Sequence, residues 1–214
     1  MDTVIKYLPS LGTSALITVA LFIVPAVCGA IIGLMVAIAR TAKSLLPREL
    51  GKLFIFAIQG TPVLLLLLIV HYGIATIGFR LPPALSAIIA LTLYAAGFLG
   101  EIWRGAIQAV PQTQWEAARS LGFGRTRALL LLIAPQAIWI ALPATVGFLV
   151  SLMKVTSLAA IIGVVELTKT GMMIANLSFE PMLVYGLLGA IYFMLCWPMS
   201  RLSRHLEMVQ HANR

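Results

Sequence analysis

The sequence predicts an all-α integral membrane protein with five transmembrane helices. Three observations carry that prediction. Hydrophobic residues make up 61% of the 214, and charged residues only 10%, where a soluble domain holds roughly 25% charged. The charges are clumped, leaving uncharged gaps of 33 residues (7–39), 27 (53–79), 20 (81–100), 26 (128–153) and 20 (181–200). A helix needs about 20 apolar residues to cross the bilayer hydrocarbon, so five crossings fit.

The net charge of +8 invites a nucleic-acid reading, but its distribution excludes one. Five crossings put eleven basic residues on one side: Arg40, Lys43, Arg48, Lys52, Arg104, Arg119, Arg125, Arg127, Arg201, Arg204 and Arg214. Four fall on the other: Lys6, Arg80, Lys154 and Lys169. The positive-inside bias assigns the eleven to the cytoplasm, with the N-terminus outside and the C-terminus inside. A nucleic-acid site would gather its basic residues on one folded surface, whereas these flank membrane spans.

The N-terminus lacks the basic n-region and short h-region of a cleaved signal peptide. Cys28 and Cys196 lie in apolar spans and read as packing residues. No His, Cys, Asp or Glu cluster has metal-ligand spacing, and no nucleophile has a base near it in sequence. Enzyme chemistry within the chain is not expected.

The first span, Leu11 to Ala39, contains Pro25 and Gly29-x-x-x-Gly33, a spacing that lets two helices approach closely. The loop from Arg40 to Lys52 is basic. Leu50, Leu53, Phe54, Ala57 and Ile58 then share one helical face, as in a short interfacial helix. The second span is broken at Gln59-Gly60-Thr61-Pro62, because proline removes a donor and disfavours helix in the residue before it. Such a break inside a membrane must be buried in protein or line a wet cavity. The third span, Ala84 to Ala106, carries Glu101 and Arg104 at i and i+3, placed to pair. The fourth, Leu132 to Met153, contains Pro135 and Pro143. Val155 to Val165 is apolar but too short to cross, hence re-entrant or packed along the outer mouth. The fifth span, Met182 to Met199, ends in a basic tail.

The loop between spans three and four holds the informative segment. Thr113 and Glu116 have capping-box spacing, and Gly122 stands where a left-handed helix stop is wanted. About two turns lie between, expected to expose Trp115 and Ala118 on one face with Ala117 beside them. A free helix of two turns is not stable in water. From its chemistry alone it fits a partner's groove, with Trp115 as anchor, and equally an amphipathic connector on the headgroups.

Glu116-Ala117-Ala118-x-x-x-Gly122, followed nine residues later by Leu132-x-Ala134-Pro135, resembles the EAA loop of bacterial ABC importer permeases. That family's pattern is EAA, three residues, Gly, nine residues, then I-x-L-P; here Leu132 and Ala134 replace the Ile and Leu. Gln59-Gly-Thr-Pro62, Glu101-Ile-Trp-Arg-Gly105, Val110-Pro111, Gln114-Trp115, Lys154-Val-Thr-Ser-Leu158 and Glu166-Leu-Thr168 narrow the likeness to the polar amino acid (histidine/glutamine-type) permeases. It runs from about residue 10 to residue 206.

The resemblance implies a type I ABC importer permease fold: one permease domain over 1–214, with a cytoplasmic coupling loop at about 107–131. It implies that Trp115, Glu116, Ala117, Ala118 and Gly122 form the element docking into a separate cytoplasmic ATPase dimer. The other implied partners are a second permease subunit, an extracytoplasmic solute-binding protein and an amino acid substrate, with the bacterial inner membrane as location. No cofactor is expected in this chain. ATP and Mg belong to the ATPase, consistent with the lack of any G-x-x-x-x-G-K-[ST] phosphate loop.

Polar groups within a membrane are costly and mark pathways. Thr61, Lys154, Thr156, Ser157 and Glu166 are therefore the substrate-pathway candidates. Glu166 and Lys154 offer countercharges for an amino acid zwitterion; otherwise they fit a structural or gating role. His71 reads as a satisfied interfacial residue. The rival to the importer is a self-sufficient secondary transporter or channel with Glu101 or Glu166 as coupling group.

Overall fold

The computed structural model describes residues 7–42 and 44–212. Lys6, Lys43 and Arg214, three of the basic residues counted above, lie outside the described residues. The elements are α1 (Leu8–Thr41), α2 (Leu45–Gly60), α3 (Val63–Thr76), α4 (Pro83–Ala109), α5 (Gln112–Ser120), α6 (Arg125–Ile162), α7 (Leu167–Ser178) and α8 (Pro181–Ala212). No strand occurs among the described residues.

Four helices are long and apolar enough to cross a membrane: α1, α4, α6 and α8. A fifth candidate is the pair α2 and α3, bent by 105° at the Thr61–Pro62 break. α2 has 16 residues, which at 1.5 Å each reach only about 24 Å, so it needs α3 to cover the bilayer's thickness. The predicted interfacial face of α2 is only half right. Gly51, Ile55 and Ile58 are the residues buried against the protein, while Leu50, Leu53 and Phe56 face outward.

α1 and α4 lie side by side, and small residues set their distance. A Cβ on Gly29 would stand 2.5 Å from the Ala95 Cβ and 3.1 Å from the Ala96 nitrogen. Gly33 meets Ala96 and Gly100 one turn further along. The two helices therefore run parallel and end at the same face, where Arg40 reaches Glu101 at 3.9 Å. The Gly29/Gly33 spacing is a helix-pairing element, as the sequence suggested.

The arm from α2 to α3 returns antiparallel to α4, Ile58 packing on Gly97 and His71 Nδ1 lying 3.0 Å from Ser86 Oγ. That bond gives His71 the satisfied role expected of it. α6 is also antiparallel to α4. Trp103 Nε1 donates to Thr145 Oγ1 at 3.0 Å, and Phe148 stacks on Phe98. The core sits among α1, α3, α4 and α6, around Leu67, Leu91, Leu99 and Leu152.

Proline disturbs α6 twice. Ahead of Pro135 the ladder widens into a π turn over Leu129–Ile133. Pro143 has no N–H to give the carbonyl of Trp139, and the Gln210 side-chain amide of α8 donates to that oxygen instead. Ser203 Oγ, also on α8, donates to the Pro143 carbonyl at 3.0 Å. Kink and neighbour are thus locked together. The short apolar stretch after Lys154 tightens into a 3₁₀ turn, Thr156–Ile162, and stops at Gly163 with φ +94°. It packs over the N-terminal end of α4, near Pro83, in agreement with a segment too short to cross. Cys28 and Cys196 are free.

Candidate functional site

The loop joining α4 to α6 is built as a rigid bracket. Val110 and Pro111 are extended (Pro111 φ −54°, ψ 141°), and α5 starts directly after them at Gln112. The Thr113–Glu116 capping box is not formed; no side chain caps the helix. Proline sets the entry angle by itself, and starting at Gln112 moves Thr113 inside the first turn, where it cannot reach forward as a cap. At the other end Gly122 adopts φ +78°. Its N–H donates to Arg119 O at 3.0 Å and the Phe123 N–H to Ala118 O at 3.0 Å, the paired bonds of a Schellman stop. The glycine assignment holds; the N-terminal one does not.

The helix is also turned over relative to the expectation. Ala118 is 0% exposed, and Trp115 is half-buried against the cluster of Ala106, Val110, Ile133 and Ala137. The Arg125 guanidinium lies 5.5 Å from the Trp115 ring centroid, and its Nη2 donates to Thr41 O at 2.9 Å. Glu116 and Ala117, with Thr113 and Ser120 on the same face, are exposed. A helix this short needs an apolar anchor of its own, and the only large apolar side chain on it is Trp115. Its best apolar surface is therefore spent on the chain's own spans, and the face left open is the polar, small-residue one.

At the foot of the spans, Arg104 Nε donates to Glu101 Oε2 at 2.8 Å, and its Nη2 donates to Oε1 of the same carboxylate. Arg40 lies 3.9 Å from the same carboxylate, so Glu101 is held in a bidentate pairing with a second guanidinium beside it.

The second polar constellation lies toward the N-terminal ends of α1, α7 and α8. Glu166 is 0% exposed and caps α7, Oε1 accepting from the Lys169 N–H at 2.9 Å. Oε2 accepts from Tyr192 OH at 3.0 Å and Thr18 Oγ1 at 3.2 Å. Thr18 Oγ1 in turn accepts from the Leu167 N–H at 3.1 Å. Thr168 Oγ1 and Tyr192 OH are 2.9 Å apart, and Ser14 Oγ and Thr170 Oγ1 2.6 Å. Three helices, α1, α7 and α8, are joined through one carboxylate. Of the two roles left open for Glu166, this geometry fills the structural one. Sequence reasoning did not find Thr18 or Tyr192. The available signal was Thr18 itself, a polar residue deep in the first charge-free gap.

The other pathway candidates do not converge on Glu166 as a cluster. Thr156 is the exception: wholly buried with its hydroxyl on Met153 O at 2.7 Å, it also meets the Tyr192 hydroxyl and so borders the Glu166 network. Lys154 is exposed, Ser157 half-buried with its hydroxyl on Lys154 O at 2.7 Å, and Thr61 half-buried at the α2–α3 bend, donating to Ala57 O at 2.8 Å.

Residues 29–207 match the family described as the binding-protein-dependent transport system inner membrane component. The chain belongs to this family. It is a permease component of the inner membrane, and the match covers α2 to α7, the α5 bracket, most of α8 and, of the Glu166 network, the members on α7 and α8. Among its relatives are the probable amino-acid ABC transporter permease protein YckA of Bacillus subtilis, 39% identical over 78% of this chain and 74% of that one. The L-cystine transport system permease protein TcyB of the same organism is 33% identical over 94% and 87%. Among solved structures, an amino acid ABC transporter with histidines superposes with TM-score 0.90 at 29% identity, covering 96% of each chain. The MetNI methionine ABC transporter, at 19% identity and TM-score 0.76, shares the fold. The architecture is that of a type I ABC importer permease.

Proposed function

We propose that this permease component imports polar amino acids by alternating access, driven by a separate ATPase that docks on α5. The observation that carries the reading is the open Glu116–Ala117 face of a helix fixed at both ends, by Pro111 and Gly122, and bolted to the spans through Trp115 and Ala118. A load applied to that face passes into α4 and α6 without first bending the loop. Glu116, Ala117 and the Gly122 stop form the docking element; Trp115 and Ala118 transmit from behind it. ATP and Mg act on the ATPase.

The substrate class is supported by the relatives, whose names specify amino acids and cystine, and by the amino acid transporter at TM-score 0.90. Five crossings, with the N-terminus outside and the C-terminus cytoplasmic, are supported by the helix directions. α1 and α4 run parallel, so the chain between them has to return across the same thickness, and the bent α2–α3 arm is the only segment available. The basic excess at the α1 and α4 C-terminal ends favours the cytoplasm for that side.

The pathway lies between this one permease domain and a second permease subunit, with a solute-binding protein delivering from outside. Within it we assign Thr61, Lys154 and Ser157 to the pathway wall. Glu166 and Thr156 hold the turn next to Lys154 and Ser157, while Thr61 stands at the α2–α3 bend.

The test is to tag the C-terminus, solubilise gently and identify what copurifies by mass spectrometry. Recovery of a nucleotide-binding ATPase, lost on Glu116→Arg with membrane insertion intact, is the expected outcome. Recovery of the folded chain alone, with amino acid uptake surviving Glu116→Arg, overturns the reading.

A further inference from the structure

Behind α5, on the side away from its open face, lies a cavity of about 830 Å³. Five arginines line it: Arg40, Arg48, Arg104, Arg119 and Arg125; no acidic side chain does. Glu101, the carboxylate that Arg104 and Arg40 engage, is not among the lining residues. One negative charge for five guanidiniums leaves like charges gathered around one space, an arrangement that costs energy unless an anion answers it.

The free donors sit on three of the five. Arg40 Nε is buried without a hydrogen-bond partner. Arg48 and Arg119 are exposed and make no hydrogen bond or ion pair among the described residues. The other two are occupied, Arg104 by Glu101 and Gln108, and Arg125 by Thr41 O and the Trp115 ring. Guanidinium donors in a fork match phosphate oxygens better than any other common group.

Position and surroundings then choose the phosphate. The cavity opens where the apolar spans α1 and α4 end, the level of lipid headgroups. Arg48 belongs to α2, whose outward face carries Leu45, Leu46, Leu50, Leu53 and Phe56, the last 76% exposed. A phosphate in the cavity therefore has an apolar track beside it. A free phosphate has no use for that track, and a phospholipid does.

We propose that this cavity binds the headgroup phosphate of an anionic phospholipid, with Arg40, Arg48 and Arg119 as its ligands and the acyl chains laid along α2. Basic pockets between membrane helices on the cytoplasmic side are suited to such headgroups. The bound phosphate bridges Arg119 of α5 to Arg40 and Arg48 of the spans, and so braces the bracket from behind. The site goes beyond the docking reading and stands without it, since its formation needs no ATPase.

The experiment uses the full-length chain, with whatever subunits copurify, in phosphatidylcholine nanodiscs containing a minor fraction of phosphatidylglycerol. Native mass spectrometry counts the lipids retained after ejection. Selective retention of phosphatidylglycerol is expected, reduced about tenfold or more by Arg48→Gln with Arg119→Gln, two exposed positions that do not threaten folding. The pair Arg127→Gln and Arg204→Gln removes the same charge elsewhere and leaves retention within about twofold. Equal retention of phosphatidylcholine, or an equal loss in the second pair, overturns the proposal in favour of bulk charge attraction. Displacement of the lipid by inorganic phosphate as readily as by added phosphatidylglycerol overturns it in favour of a free-anion site. ATPase recovery, scored in the same samples, reports on docking separately.

Discussion

Gly33 of α1 and Gly100 of α4 meet backbone to backbone. A Cβ on Gly33 would stand 3.1 Å from the Gly100 nitrogen, and one on Gly100 would stand 3.2 Å from the Gly33 oxygen. Lipid tails are as apolar as leucine, so helices in a membrane gain by close packing rather than by burial alone. This contact fixes the parallel pair on which the other spans are hung, including α4, from which α5 is suspended.

Enlarging that seam should loosen the whole permease. Gly29→Val places its first carbon 2.5 Å from the Ala95 Cβ and beside backbone atoms that cannot move aside. Overpacking of this kind costs about 1–3 kcal/mol. The expected result is a lower thermal midpoint in detergent. Gly12→Val, where nothing lies within 4 Å of the added carbon, should leave the midpoint unchanged.

The exposed and buried faces of α5 predict two different failures. Glu116→Arg should abolish ATPase recovery while the chain stays folded, because the side chain is exposed and bears no internal bond. Ala118→Leu should lower the permease's own thermal stability, because the methyl group is 0% exposed. Copurification and thermal unfolding, measured on both variants, separate the two; identical profiles would refute the assignment of faces.

Gly122→Ala isolates the helix stop. A left-handed conformation at φ +78° costs an L-residue about 1–2 kcal/mol, and the strain falls on α5 rather than on the spans. ATPase recovery should drop while the thermal midpoint of the spans stays near that of the parent. Gly122→Asn, which tolerates the left-handed region better, should recover part of the loss.

Most of the fold was legible in the sequence because membrane crossing is a composition problem: the charge-free gaps, the Thr61–Pro62 break and the Gly29/Gly33 spacing all act locally. The Gly122 stop was legible for the same reason. The facing of α5 was not, since Trp115 and Ala118 are turned inward by Ala106 of α4, Val110 in the link after it and Ile133 of α6. The capping box failed because Pro111 sets the start of the helix earlier. Glu166 stood out as a costly group, but its partners Thr18 and Tyr192 lie 148 and 26 residues away, a separation no spacing rule reaches. The arginines around the cavity read in the sequence as charges flanking spans, and only the folded ends of α1, α2, α4, α5 and α6 gather them.

The Glu166 network yields the sharpest separation of structure from transport. Glu166→Ala removes the acceptor shared by Thr18, Tyr192 and the Lys169 N–H; Thr18 keeps Ser14 O and Tyr192 keeps Thr168, while the Lys169 N–H and the tie between three helices are lost. Each of these buried hydrogen bonds contributes about 0.5–1.5 kcal/mol, and three are lost at once, so this variant should accumulate poorly or unfold readily. Tyr192→Phe removes one of those bonds and keeps the ring, and should lower the thermal midpoint while leaving amino acid uptake by the folded fraction intact. Ser157→Ala should do the reverse, because its hydroxyl bonds only to the carbonyl of Lys154 three residues back, a contact no other helix depends on. Uptake corrected for folded protein, set against thermal unfolding, tests both. Uptake abolished in a stably folded Tyr192→Phe would move the network from the scaffold into the substrate path.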